Sequence, residues 1–81
     1  MAEPVIDGSG FTNGLRRLTP REAEVLARTS RGETNAQVAR GLGITVHAVK
    51  FHLASVFRKL KVHNRTEAAA VFLQAGPEPL Q

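Results

Sequence analysis

The 81-residue sequence predicts an all-α fold of four short helices, and three observations predict it. Capping pairs recur at Thr19/Glu22, Thr34/Gln37 and Asn64/Glu67, spaced so that the first side chain accepts from a first-turn N–H while the second reaches back. Glycines at 32, 43 and 76 follow three of the segments, where a chain leaving a helix needs a residue tolerant of left-handed backbone. Between 46 and 60, the apolar residues repeat at the helical period. The predicted helices are about 20–30, 35–42, 46–60 and 65–75.

Residues 1–17, MAEPVIDGSGFTNGLRR, are rich in glycine and carry no helical period, so they read as a flexible arm or linker. Val5, Ile6 and Phe11 are its main apolar residues, and Arg16 and Arg17 are candidates for phosphate contacts. Thr19 then caps the first helix, with Pro20 suited to the first helical position and Leu18 placed to pack on the first turns. Ala23, Leu26 and Ala27 are expected on its inner face, with Arg28 and Arg31 as solvated charges.

The second and third helices are separated by only a few residues. Thr34 starts a helix of about two turns that carries Val38, Ala39 and Leu42 and stops at Gly43. Ile44 follows as an apolar plug and Thr45 caps the next helix. A small residue at Ala39, a glycine turn and Val49 as the first inward residue make a helix-turn-helix over 35–54.

Rotating the third helix by about 100° per residue puts Val49, Leu53, Val56 and Leu60 on a core face, with His52 and Phe57 at its margins. His47, Lys50, Phe51, Ala54, Arg58 and Lys61 lie opposite. An ordinary solvated face carries mixed charge and seldom a phenylalanine. The net charge is only +4, yet residues 45–63 hold Lys50, Arg58, Lys59 and Lys61 and no acid, while the remaining seven basic residues balance seven acidic ones. A positive field clustered in this way favours a polyanion, and duplex DNA is the partner it fits. A membrane surface fits less well, because the inward face of the helix is committed to a core.

The last helix, RTEAAAVFLQA, is apolar around much of its girth. Ala68, Val71, Phe72 and Ala75 form one stripe, and Ala69, Ala70 and Leu73 form a second. The second stripe reads as a contact between two copies, or equally as cover for the N-terminal arm or plain helix propensity. Residues 77–81 read as a frayed tail.

With 42% hydrophobic residues this is one small domain, too short to hold a sensor domain as well. It has no cysteine, so no disulfide or thiolate metal site, and nothing calls for a cofactor. No apolar run approaches the roughly 18 residues of a membrane span, and a DNA partner places the chain in the cytoplasm. An enzyme is the weakest reading. His47, His52 and His63 do not share a face, and Ser55, three residues from His52, reads as an ordinary surface serine.

Residues 18–76 resemble the C-terminal DNA-binding domain of the LuxR/GerE family of bacterial transcription regulators. LTPREAEVL, Gly32, TNAQVARGLGI, AVKFHLASVFRKLKV and NRTEAAA carry the resemblance in order. It implies a third helix in the major groove and a fourth that pairs two copies on DNA, a homodimer that recruits or blocks RNA polymerase. By matching positions, Lys50 and Phe51 contact bases with Ala54 one turn on, and His47 and Arg58 face the same way. Thr34, Asn35 and Thr45 stand where the family approaches phosphates. Lys61 is expected to contact phosphate from its place on the basic face, not by a family match. His52 matches a position commonly histidine and is read as structural. The family often has a basic residue at Ala36 and threonine at Ala48, and is usually apolar at Thr29, so two phosphate contacts are expected to be missing. A receiver or ligand-binding domain upstream in a larger parent is implied as well. The alternative is a protein-interaction module that keeps the fold without base readout.

Overall fold

The computed structural model describes residues 14–75, and four helices lie wholly within them: α1 (Pro20–Ser30), α2 (Asn35–Leu42), α3 (Val46–Leu60) and α4 (Arg65–Ala75). Their bounds match the expected ones, because the caps are built as the spacing predicts. Thr19 Oγ1 accepts from Glu22 N at 3.1 Å while Thr19 N donates to Glu22 Oε1 at 2.9 Å. Thr34 and Gln37 make the same reciprocal pair, and Thr45 Oγ1 accepts from Ala48 N at 2.9 Å. At the start of α4 the geometry differs: Asn64 Oδ1 accepts from Glu67 N, but Glu67 reaches past the cap residue to accept from His63 N at 2.7 Å. Gly43 ends α2 at φ +68°, a conformation that a side chain would strain.

Two apolar clusters hold the helices together. Val25, Val38, Ala39, Val49 and Leu53 join α1, α2 and α3, with Leu42 and Ile44 at the margin. Leu26, Val56, Leu60, Ala68 and Val71 join α1, α3 and α4. Phe57 packs against both clusters. Val25 and Leu26, adjacent in sequence, point into different clusters, so α1 lies between the helix-turn-helix pair and α4.

That position corrects the expected inner face of α1. Glu22, Val25, Leu26 and Thr29 are the buried set, while Ala23 and Ala27 are only half-buried. The four stand at i, i+3, i+4 and i+7, one face about 100° wide, and that face includes two polar residues. The hydroxyl of Thr29 has no hydrogen-bond partner among the described residues. Thr29→Val is therefore expected to stabilise the domain by about 1 kcal/mol, since it removes an unsatisfied hydroxyl without changing shape. The matching rise in Tm is roughly 4–8 °C. A melt showing a lower Tm would mean that the hydroxyl is bonded.

The arm expected over 1–17 also differs at its end. Residues 14–16 are helical, and Leu15 and Leu18 pack on the second cluster. Gly14 sits so close to the end of α3 that an added Cβ would lie 2.9 Å from Lys59 O. The docked part of the chain thus begins by Gly14. The rest of the expected arm, with Val5, Ile6 and Phe11, and the tail from Gly76 lie outside the described residues.

Candidate nucleic-acid interface

The exposed side of α3 follows from the commitment of its other side to the core. Val49, Leu53, Val56 and Leu60 are 5% exposed or less. His47, Lys50, Phe51, Ala54 and Arg58 are all exposed, and they fall within a sector about 100° wide by helical rotation. Phe51 is 69% exposed, a large apolar ring in the middle of a polar strip. His52, half-buried beside it, meets its ring edge to face with centroids 5.9 Å apart. The backbone partner expected of a structural His52 is absent among the described residues, and its contact is the Phe51 ring.

The first turn of α2 lies alongside. Asn35, Lys50, Leu53, Ala54, Phe57 and the start of α4 at Arg65 line one groove, which brings the amino end of α2 to the outer face of α3. Within α2 the capping box occupies Thr34 N and Gln37 N. The N–H groups of Asn35 and Ala36 remain as first-turn donors, at the positive end of the helix dipole. Thr45 leaves the same arrangement at the start of α3, with Val46 and His47 N–H beyond its hydroxyl. Such ends suit an anion.

Lysine 59 does not belong to this surface. Its Nζ donates to Glu22 Oε1 at 2.8 Å and to Arg17 O at 3.1 Å, on the flank of α3 that faces α1. Ser55 lies there too: it is buried, contrary to the surface serine expected, and donates to Glu22 Oε2 at 2.6 Å. Burial alone pushes the Glu22 carboxyl up. The bonds from Lys59, Ser55 and Thr19 N–H, with the Lys59 charge, outweigh it and hold the carboxyl at about 2, against an ordinary 4.5. The helix is thus less basic than its sequence, with Lys50, Arg58 and Lys61 carrying the outward charge. None of those three has an ion-pair partner among the described residues.

Arg16 and Arg17 are exposed but do not line the groove, and the bond from Lys59 to Arg17 O places that backbone toward α1. Arg28 and Arg31 are paired with Glu33 at 3.3 and 3.6 Å rather than simply solvated. On α4, Leu73 is 66% exposed, Ala70 is exposed and Ala69 is half-buried.

Lys61, the residue after α3, holds φ +59°, the one non-glycine residue with positive φ among those described. A lysine in this conformation costs on the order of 1 kcal/mol that glycine avoids. Lys61→Gly is accordingly expected to raise Tm by a few degrees and to remove one outward charge, so that duplex DNA, if this face binds it, is held more weakly whatever its sequence. Melting and titration of the same variant separate the two effects. Unchanged affinity would remove Lys61 from the interface.

Among the described residues, no group of histidine, aspartate and glutamate could hold a metal ion, and no helix is long and apolar enough to cross a membrane. Comparison with known proteins finds that residues 16–72 match the family model for bacterial regulatory proteins of the luxR family. The chain is 44% identical over 62 residues to the glycerol metabolism activator of Pseudomonas putida, covering 76% of this chain and 27% of that protein. It is 44% identical over 72 residues to the transcriptional activator protein AnoR of Acinetobacter nosocomialis, covering 89% and 30%. It is 43% identical over 60 residues to the two-component response regulator PprB of Pseudomonas aeruginosa, covering 74% and 22%. The chain therefore spans less than a third of the length of these relatives.

Proposed function

Because this chain belongs to the luxR family of bacterial regulatory proteins, whose shared helix-turn-helix it carries, we propose that it binds double-stranded DNA sequence-specifically, with α3 in the major groove. The family is one of DNA-binding transcription regulators rather than enzymes. The observation that carries the finer reading is the joining of the exposed Lys50–Phe51–Ala54 strip to the first turn of α2 across one groove. A helix laid in the major groove brings its neighbours to the flanking phosphates, and the free N–H groups and Asn35 stand where such contacts fall.

In this reading Lys50 donates to guanine acceptors and Phe51 presses on a thymine methyl, with His47, Ala54 and Arg58 along the same edge. Thr34, Asn35, Thr45 and Lys61 hold the backbone, while Arg16 and Arg17 are peripheral. Two copies pair through Ala69, Ala70 and Leu73 of α4, setting half-sites about one helical turn apart. In a longer protein the module receives its signal from a preceding receiver or ligand-binding domain, acts in the cytoplasm and transmits to RNA polymerase. The similarity to a two-component response regulator supports the receiver.

The test is selection of bound fragments from a random duplex pool at low and near-physiological salt, followed by sequencing. A paired motif is the expected result. Binding without enrichment would reduce the interface to its charge, and no binding even by a forced dimer would favour a protein partner.

A further inference from the structure

Arg65 opens α4, on the far side of the recognition helix in sequence, yet its guanidinium reaches back to the beginning of α2. Nη2 donates to Glu33 O at 2.7 Å and Nη1 to Asn35 Oδ1 at 3.1 Å. Glu33 and Asn35 flank the cap residue Thr34, so the fork grips the turn from both sides of its cap. The carboxylate of Glu33 is itself pinned by Arg28 and Arg31 at the end of α1. Apart from this grip, α2 is anchored in the first apolar cluster through Val38, Ala39 and Leu42, none of them among its first three residues.

We propose that Arg65 is a positioning residue for DNA binding: it fixes the first turn of α2 and turns the Asn35 amide so that its NH₂ group is presented to a phosphate. The inference rests on the DNA-binding reading above. An amide whose oxygen is held by a guanidinium has only its two N–H donors left to offer. Together with the Asn35 and Ala36 N–H groups they make a donor cluster, and a cluster fixed before binding loses less freedom on binding. A guanidinium suits the task because its planar fork satisfies two acceptors at set angles, which an ammonium does not. Arg65 thereby links the start of α4 to the phosphate-facing end of α2 across the groove beside Lys50 and Ala54.

The experiment is a titration of the selected duplex with the unaltered chain, Asn35→Ala, Arg65→Ala and the double variant, over a range of salt, with a thermal melt of each. Each single change is expected to weaken binding about 3- to 10-fold, and Asn35→Ala to leave the salt slope unchanged, because the amide carries no charge. The double variant is expected to bind no worse than the weaker single one, because both changes remove the same contact. Losses that multiply would overturn the proposal, since Arg65 would then act on DNA independently of Asn35. A lower Tm with affinity intact would also overturn it, leaving Arg65 a stability residue only. If Arg65→Ala does not fold, Arg65→Lys decides: the charge is kept and the fork lost, so binding should fall, and full binding would sink the idea. Absence of salt-dependent binding by the unaltered chain would overturn the DNA reading and this inference together, whereas the other failures leave the DNA reading standing.

Discussion

Replacing Glu22 by alanine is expected to cost about 2–4 kcal/mol and to lower Tm by roughly 10–25 °C, the largest effect of any single polar side chain in the domain. The carboxylate accepts three hydrogen bonds, from Thr19 N, Ser55 Oγ and Lys59 Nζ, and only 6% of the residue is exposed. Its loss strands a buried hydroxyl on α3, opens the cap of α1 and leaves Lys59 without its partner. Lys59 is a quarter exposed and recovers water, so the cost falls below that of a wholly buried pair. Glu22→Gln keeps the shape and part of the bonding and should cost less. It should also change how stability depends on acid. Because folding lowers this carboxyl from 4.5 to about 2, its contribution is complete above pH 4.5 and is lost as pH falls toward 2. Chemical denaturation of both chains between pH 2 and 6 is the check: the difference should narrow steadily as the acid range is entered. A gap that stays constant would show that the charge of Glu22 is not what holds the helices.

The same residue shows where the sequence was legible. Thr19, Glu22, Thr34, Gln37 and Thr45 act within one turn of their own position, so their caps could be read from spacing alone. The other two bonds of Glu22 could not be read, because their donors, Ser55 and Lys59, lie 33 and 37 residues away and nothing in their spacing marks them. For that reason the sequence reads Ser55 as a surface serine and counts Lys59 with the basic cluster of residues 45–63. Both expectations treat α3 as having two sides, core and outward, whereas α1 creates a third, polar flank. Gly14 was misread in the same way, since a glycine that permits close approach looks like a linker glycine until its neighbour is known.

The exposed strip on α3 was legible for the opposite reason. Once Val49, Leu53, Val56 and Leu60 claim the core, rotation alone places His47, Lys50, Phe51, Ala54 and Arg58 outside. The grip of Arg65 on Glu33 and Asn35 was not legible, because it spans two helices and ends on a backbone carbonyl, an acceptor that every residue possesses.

Phe51→Ala is expected to change which sequences are bound, by about 1–3 kcal/mol at the base pair its ring covers, with little effect on stability. The ring is 69% exposed, so its removal takes little from the core. What it loses is a surface that DNA would cover, held in place by the edge-to-face contact with His52. An apolar ring discriminates by contact with a thymine methyl and carries no charge, so the salt slope should stay near that of the unaltered chain. Lys50→Ala supplies the contrast. It removes a donor and a charge together, so it should relax preference at a neighbouring pair and also flatten the slope. Binding of both variants to a series of single-pair changes, at two salt concentrations, separates these signatures. If Phe51→Ala weakens every site equally, the ring is only filling space against the backbone, and base readout must then rest on Lys50 and its charged neighbours.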